Sequence, residues 1–227
     1  MTREHYRALL QQLDDEVLAL GDLVAGTIAE SVDALERLDV ERAQSLIVAD
    51  SRIDRERYDV ENKALVLMAT QQPAASDLRT ITATLIIASE LERIADYCEG
   101  IAKITLRMAA EPVPGTLSDI RTMADVTEQL LRQALQALKN RDVEAAGEVW
   151  RQDDDVDELY ESVFRRMLVD MTTNKATVRR STYLLWVAHN LERIADRVTN
   201  ITERIAFIVT GDIAGFRDKL RAESLPA

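Results

Sequence analysis

The sequence predicts an all-α protein, a tandem duplication of an antiparallel three-helix bundle with six long helices. Three observations carry this expectation. Aromatic residues make up 4% of the 227-residue chain, with 7 glycines and 4 prolines, too few turn and strand formers for a sandwich or barrel. The prolines stand at 73, 112, 114 and 226, which leaves three long stretches clear of helix breakers. Finally, Leu91-Glu92-Arg93-Ile94-Ala95-Asp96 recurs letter for letter as Leu191-Glu192-Arg193-Ile194-Ala195-Asp196.

The elements follow in order. A first helix is expected over residues 5–38 and a second over 40–71, the latter capped by Asp39 with Glu41 near its positive end. A third should run over 77–110, and the cluster Pro112-Val113-Pro114-Gly115 then reads as the joint between two halves. In the second half, Asp142-Val143-Glu144 echoes Asp39-Val40-Glu41 at an offset of 103. Aligning 78–101 with 178–201, at an offset of 100, gives 11 identities in 24 positions. That density marks a duplication, and the change of offset places a length difference between the second and third helices of each half. Two copies are too few for a solenoid. The expected division is a first repeat over 1–111, a second over 115–215 and a C-terminal tail over 216–227.

Charge narrows the function. The formal net charge is −12, which repels phosphodiester backbones, and no Lys/Arg-rich block stands out, so a nucleic-acid partner is not expected. A single cysteine, Cys98, excludes an intrachain disulfide and a multi-cysteine metal site and fits a reducing compartment. The first 20 residues are dotted with charge and read as no secretory signal. No uncharged stretch approaches the ~20 residues of a spanning helix. A soluble, cytoplasmic protein is expected, with membrane association only through partners or a surface.

The chemistry lies in an anomaly of the helix pattern. Read with coiled-coil spacing, the second helix presents Ala43, Ile47, Asp50, Asp54, Arg57, Glu61, Ala64 and Met68 along its seam. The second copy presents Ala146, Trp150, Asp153, Asp157, Tyr160, Phe164, Met167 and Met171. In both, two aspartates four residues apart stand where leucines should pack. The third helix repeats the anomaly, with Glu92 and Glu192 on a core-facing row and Asp96 and Asp196 one turn later on its flank. Each half thus offers four carboxylates: Asp50, Asp54, Glu92 and Asp96, then Asp153, Asp157, Glu192 and Asp196. Like charges at i,i+4 cost a helix ~0.2–0.5 kcal/mol even when exposed, and gathering four between two helices costs more. The remedies are protonation, a basic partner or a bound cation. Arg93 and Arg193 point about 100° from the adjacent glutamates, one residue on along a helix, and are expected to be poor partners. A donor set of carboxylates alone is hard-oxygen chemistry, suited to magnesium, manganese, calcium or iron.

The remaining residues read blandly. His189 precedes Glu192 by three, the reverse of the di-iron Glu-x-x-His order, and only His5 accompanies it. Cys98, Trp150 and Trp186 fall on apolar rows and are expected to pack. No phosphate loop, nucleophile elbow or Cys/His pair occurs. Nothing assembles an enzyme.

Taken together, the paired acids on each second helix and the duplicated Leu-Glu-Arg-Ile-Ala-Asp blocks resemble the PhoU family over essentially the whole chain, to residues 208–211. Alanine (Ala95, Ala195) stands where that family usually has glycine before the aspartate, and Gly100 stands where the second copy keeps Asn200. The resemblance implies metal ions (iron, zinc, manganese or magnesium) at the eight acidic positions named above. It also implies a negative regulator of phosphate uptake and phosphate-starvation signalling, often dimeric. Such a regulator links the ATP-binding subunit of the phosphate ABC transporter to a sensor histidine kinase. Two alternatives stand beside it: a carboxylate-bridged dimetal hydrolase or oxidase, and a metal-free helical scaffold.

Overall fold

The computed structural model describes residues 3–110 and 117–224, and among these every regular element is helical. The first half holds α1 (Arg3–Arg37), α2 (Val40–Gln71) and α3 (Ala75–Met108). The second holds α4 (Ser118–Asn140), α5 (Val143–Arg151), α6 (Asp153–Thr173) and α7 (Val178–Thr210), then α8 (Ile213–Ser224). A 3-10 turn, Lys175–Thr177, links α6 to α7. The proline–glycine joint at 112–115 lies outside the described residues, as does Pro226.

The turns are duplicated as closely as the helices. Leu38 and Arg141 take the left-handed conformation at φ 48° and 54°. Asp39 then caps α2 by accepting from the Arg42 amide at 2.9 Å, and Asp142 caps α5 by accepting from Glu144 and Ala145, both at 3.0 Å. Ion pairs recur with the same offset: Lys63 meets Glu16 at 2.5 Å and Arg166 meets Asp119 at 2.6 Å. The length difference does fall between second and third helices. There the first copy spends Gln72, Pro73 and Ala74 on its turn, and the second has Asn174 and the 3-10 turn.

Two features depart from six plain helices. The second copy's counterpart of α2, read as one continuous seam, is interrupted at Gln152, whose carbonyl accepts from Asp155 in a tightened i→i+3 turn at 3.2 Å. Three acids in a row, Asp153–Asp154–Asp155, follow, a composition that favours a helix start. Most of the segment assigned to the C-terminal tail, 216–227, lies in a further helix, α8 (Ile213–Ser224). Phe216 and Leu220 of α8 are buried, and Gly147 of α5 lets Leu220 approach, since a Cβ there would lie 3.2 Å from it. Arg217 grips the buried Glu203 of α7 with two hydrogen bonds of 2.5 Å.

The halves join through α3 and α7, which run antiparallel at the centre. Glu90 of α3 accepts from Arg197 at 3.3 Å and Asn200 at 3.1 Å, while Asn190 of α7 donates to the Tyr97 carbonyl at 3.4 Å. These contacts exchange under the offset of 100, so a pseudo-twofold axis passes near Ile94 and Ile194, both fully buried. The same symmetry explains Gly100. It faces Asn190, whose amide would lie 2.9 Å from an added Cβ, and so it makes room for an inter-repeat contact.

The seam register predicted above is corrected at alternate positions. In α2 the buried row is Ala43, Leu46, Ile53, Val60, Ala64 and Leu67; in the second copy it is Ala146, Val149, Val156, Val163 and Met167. Ile47, Asp54, Glu61 and Met68, with Trp150, Asp157, Phe164 and Met171, lie one position off, at the flank. On α3 and α7, Leu91 and Leu191 hold the row and Glu92 and Glu192 border it. Except at Met171, an apolar residue stands one position earlier in each case, and the same helical stripe admits either neighbour.

Candidate metal centres

Asp50 and Asp153 remain on the seam of their helices, half-buried, and each draws its cluster around it. In the first repeat, burial pushes the Asp50 carboxyl up to about 6, with Glu99, Asp96 and Asp54 adding repulsion and Lys103 opposing it. Burial likewise raises Glu92, helped by Asp96 and Asp54 and countered by Arg57; Asp96 is raised by burial and by Asp54 and Glu99. In the second repeat, burial pushes Asp153 up to about 7, followed by Asp157, Asp196, Asp154 and Glu192. Asp157 is raised by burial and by Glu192, Asp196 and Asp154, against Arg193. The eight predicted acids therefore fall into two groups, four and four, near enough across the α2–α3 and α6–α7 seams to repel one another.

The clusters sit on the rim of the seams. Asp96 and Asp157 are exposed and the other six are half-buried. Among the described residues, no three His, Cys, Asp or Glu side chains are arranged to hold a metal ion; the carboxyls share a field without converging on one point. The donor chemistry still fits a hard cation, since oxygen ligands are plentiful and mutually repelling.

Basic partners are closer than expected. Arg193 binds Glu192 at 3.0 Å and Asp196 at 2.9 Å, which corrects the view that it points away. A long guanidinium stem spans what the Cα direction does not. Arg93 instead meets Glu90 at 3.4 Å. Arg57 reaches Glu61 at 2.5 Å and Glu92 at 3.8 Å. His189 Nδ1 lies 3.1 Å from Glu192, a supporting position.

The sequence reading left some residues out. Glu99 belongs to the first cluster and Asp154 to the second; Glu99 was visible as a further acid on the third-helix row, seven residues after Glu92. The most buried acids, Glu90 and Glu203, lie elsewhere and serve the inter-repeat and α8 contacts. Cys98 is buried as expected, its thiol pushed up to about 12 by burial. Trp150 packs against the core, but Trp186, expected to pack, is 49% exposed.

The arrangement matches a known family. The PhoU domain aligns twice, over residues 17–105 and 120–205. The chain belongs to the PhoU family. It is 35% identical over 219 residues to a protein of Clostridium acetobutylicum named phosphate-specific transport system accessory protein PhoU homolog, covering 96% of this chain and all of that one. The crystal structure of PhoU from Pseudomonas aeruginosa superposes with a TM-score of 0.86 at 27% identity, over 91% of this chain and 100% of that chain. The phosphate transport system regulatory protein PhoU from Streptococcus pneumoniae gives 0.85 at 26% identity, over 92% and 99%. Both family matches include the four acids of their repeat, and α8 lies beyond the second.

Proposed function

We propose that this chain is a non-enzymatic regulator of phosphate uptake and phosphate-starvation signalling. In this reading it is a homodimeric cytoplasmic adaptor that represses the phosphate regulon by linking the ATP-binding subunit of the phosphate ABC transporter to a sensor histidine kinase. Metal ions at the two carboxylate clusters complete it. The observation that carries the proposal is the recurrence of one acidic cluster on the same seam of both repeats, in a chain whose relatives are named as accessory proteins of phosphate transport. Among the described residues no helix is long and apolar enough to cross a membrane, so contact with a transporter falls to helix surfaces.

A cation bound there would supply the positive charge that the clusters lack. Asp50 and Asp54 with Glu92 and Asp96 would hold it in the first repeat, and Asp153 and Asp157 with Glu192 and Asp196 in the second. Holding it requires the exposed Asp96 and Asp157 to turn inward and the basic side chains of Arg57 and Arg193 to give way. Cancelled repulsion would pin α2 to α3 and α6 to α7, and so stiffen both faces offered to partners.

A pull-down from phosphate-replete cells, read by mass spectrometry, tests the adaptor: transporter and kinase subunits are the expected prey, and their absence overturns it. Elemental analysis and melting with and without chelator test the metal separately. Bound metal with a raised melting temperature is expected. A metal-free protein indifferent to chelator and to added manganese, iron, zinc or magnesium overturns that half alone.

A further inference from the structure

Between α3 and α7 lies an open cavity of about 310 Å³, walled by Lys103 and Arg107 of α3 and by Trp186, His189 and Asn190 of α7. The pseudo-twofold gives each of these a mate one hundred residues away. The mates of Lys103 and Asn190 are the buried acids Glu203 and Glu90; that of Arg107 is Phe207, and those of Trp186 and His189 are Ile86 and Ser89. Gly100 also lines the cavity, and its mate Asn200 donates to Glu90 at 3.1 Å, a side chain that Gly100 lacks. Where one half has two acids, the other has a cation and an amide, with an indole and a guanidinium beside them. Trp186 is 49% exposed although Tyr183 holds it edge to face at 5.7 Å, so an oriented ring is available for stacking. Among the described residues that line the cavity none is acidic. Its surroundings are acidic: Glu99 pairs with Lys103, Glu192 meets His189 Nδ1 at 3.1 Å, and the α1–α2 turn carries Asp33, Glu36, Asp39 and Glu41. A negative ligand here is held by contact with the lining cations, not by the field of a basic face.

We propose that this cavity binds a mononucleotide, independent of the metal reading. The base stacks on the Trp186 indole, a platform that accepts any flat ring. The phosphate takes Arg107, whose planar fork of donors suits phosphate oxygens and which makes no ion pair among the described residues. Lys103, one turn earlier on the same face and about 6 Å away, is a second cation that the phosphate shares with Glu99. The Asn190 amide gives one N–H to the Tyr97 carbonyl at 3.4 Å; its remaining groups and His189 Nε2 serve the base edge or the sugar hydroxyls. The volume stands at the small end of ligand pockets, roughly 300–1,000 Å³, which suits one nucleotide. Inorganic phosphate leaves the ring unused, and a nucleoside leaves the guanidinium unused, so both are weaker ligands on this assignment.

Calorimetric titration of the full-length protein with adenosine 5′-monophosphate tests the proposal, run in chelator so that no cation at the carboxylate clusters draws the phosphate. Binding is expected, with quenching of tryptophan emission that the Trp186→Phe variant loses. Adenosine and inorganic phosphate should each bind about tenfold or more weaker than the nucleotide. Arg107→Ala and Trp186→Ala should each weaken it about tenfold. Gly100→Asn, which installs the residue of the other half, should abolish binding, and Ile86→Ala in that other half should leave it unchanged. Absence of both heat and quenching at millimolar nucleotide overturns the proposal, as does equal binding by Arg107→Ala and the parent when both melt alike. Adenosine binding as tightly as the nucleotide overturns it in favour of a plain ring site, and phosphate binding as tightly overturns it in favour of a plain anion site.

Discussion

The two acidic clusters share a skeleton and differ in how their charge is tempered. In the first, Asp50 lies mid-helix in an unbroken α2, and cations come from outside the four acids, Arg57 from α2 and Lys103 from α3. In the second, Asp153 opens α6 just past the break at Gln152, and one residue, Arg193, sits between Glu192 and Asp196 on α7 itself. A helix start should favour an ionised aspartate, yet Asp153 is raised further than Asp50, to about 7 against about 6. Burial among three neighbouring acids and Asp154 outweighs the helix dipole there. What the duplication kept is the acids; their counterions diverged.

The sharpest way to break this comparison is to disarm one cluster at a time. On the proposed metal reading, Asp153→Asn with Asp157→Asn should remove metal from the second repeat alone, and Asp50→Asn with Asp54→Asn from the first alone; elemental analysis of each double variant decides. Next in size is the shared axis. Ile94→Ala and Ile194→Ala each empty a fully buried position and should each cost ~2–5 kcal/mol in denaturant unfolding. Similar losses are expected from the two, because the pseudo-twofold makes their surroundings equivalent.

Acid titration sharpens the contrast further. Carboxyls raised in the folded state give stability that is complete below their unfolded values and lost as pH climbs through the folded ones. Metal-free protein should thus melt higher near pH 5 than near pH 8, with the loss starting near the unfolded value of 3.8 and complete just above 6 for Asp50 and just above 7 for Asp153. In Arg193→Gln only the loss from the second cluster should grow, because Arg193 holds Asp157 down, and on the proposed metal reading affinity there should rise because a competitor for Glu192 and Asp196 is gone. The smallest effects belong to the caps. Asp39→Ala and Asp142→Ala should cost ~0.5–2 kcal/mol each. Asp142 should cost more, since it accepts from two amides and Asp39 from one.

Much of this was legible in one sequence because it is written in local codes. Asp39 and Asp142 before helical runs, Pro73 closing the second run, and an identical block one hundred residues apart gave those helix boundaries and the duplication. The break at Gln152 was not legible: a run of three aspartates is tolerated inside an acidic helix as easily as it opens a new one. The seam was misplaced by one position at alternate turns because Leu46 and Ile47, or Val163 and Phe164, are both apolar, and periodicity alone does not choose between neighbours. That slip moved Asp54 and Asp157 from the core to the rim. Trp186 was misread for the same reason, an apolar residue on an apolar row that the neighbouring helix does not cover.

The sequence by itself determined the helical class, the Asp39 and Asp142 caps, the twofold plan and the identity of the eight carboxylates, because capping, breaking and repetition act within a few residues of chain or by plain identity. Only the tertiary structure decided which acids are half-buried, that Arg57 and Arg193 reach them, and that Gly100 serves Asn190. Those outcomes depend on how helices distant in sequence are rotated against one another, and a rotation of one residue, about 100°, is enough to turn a core position into a surface one.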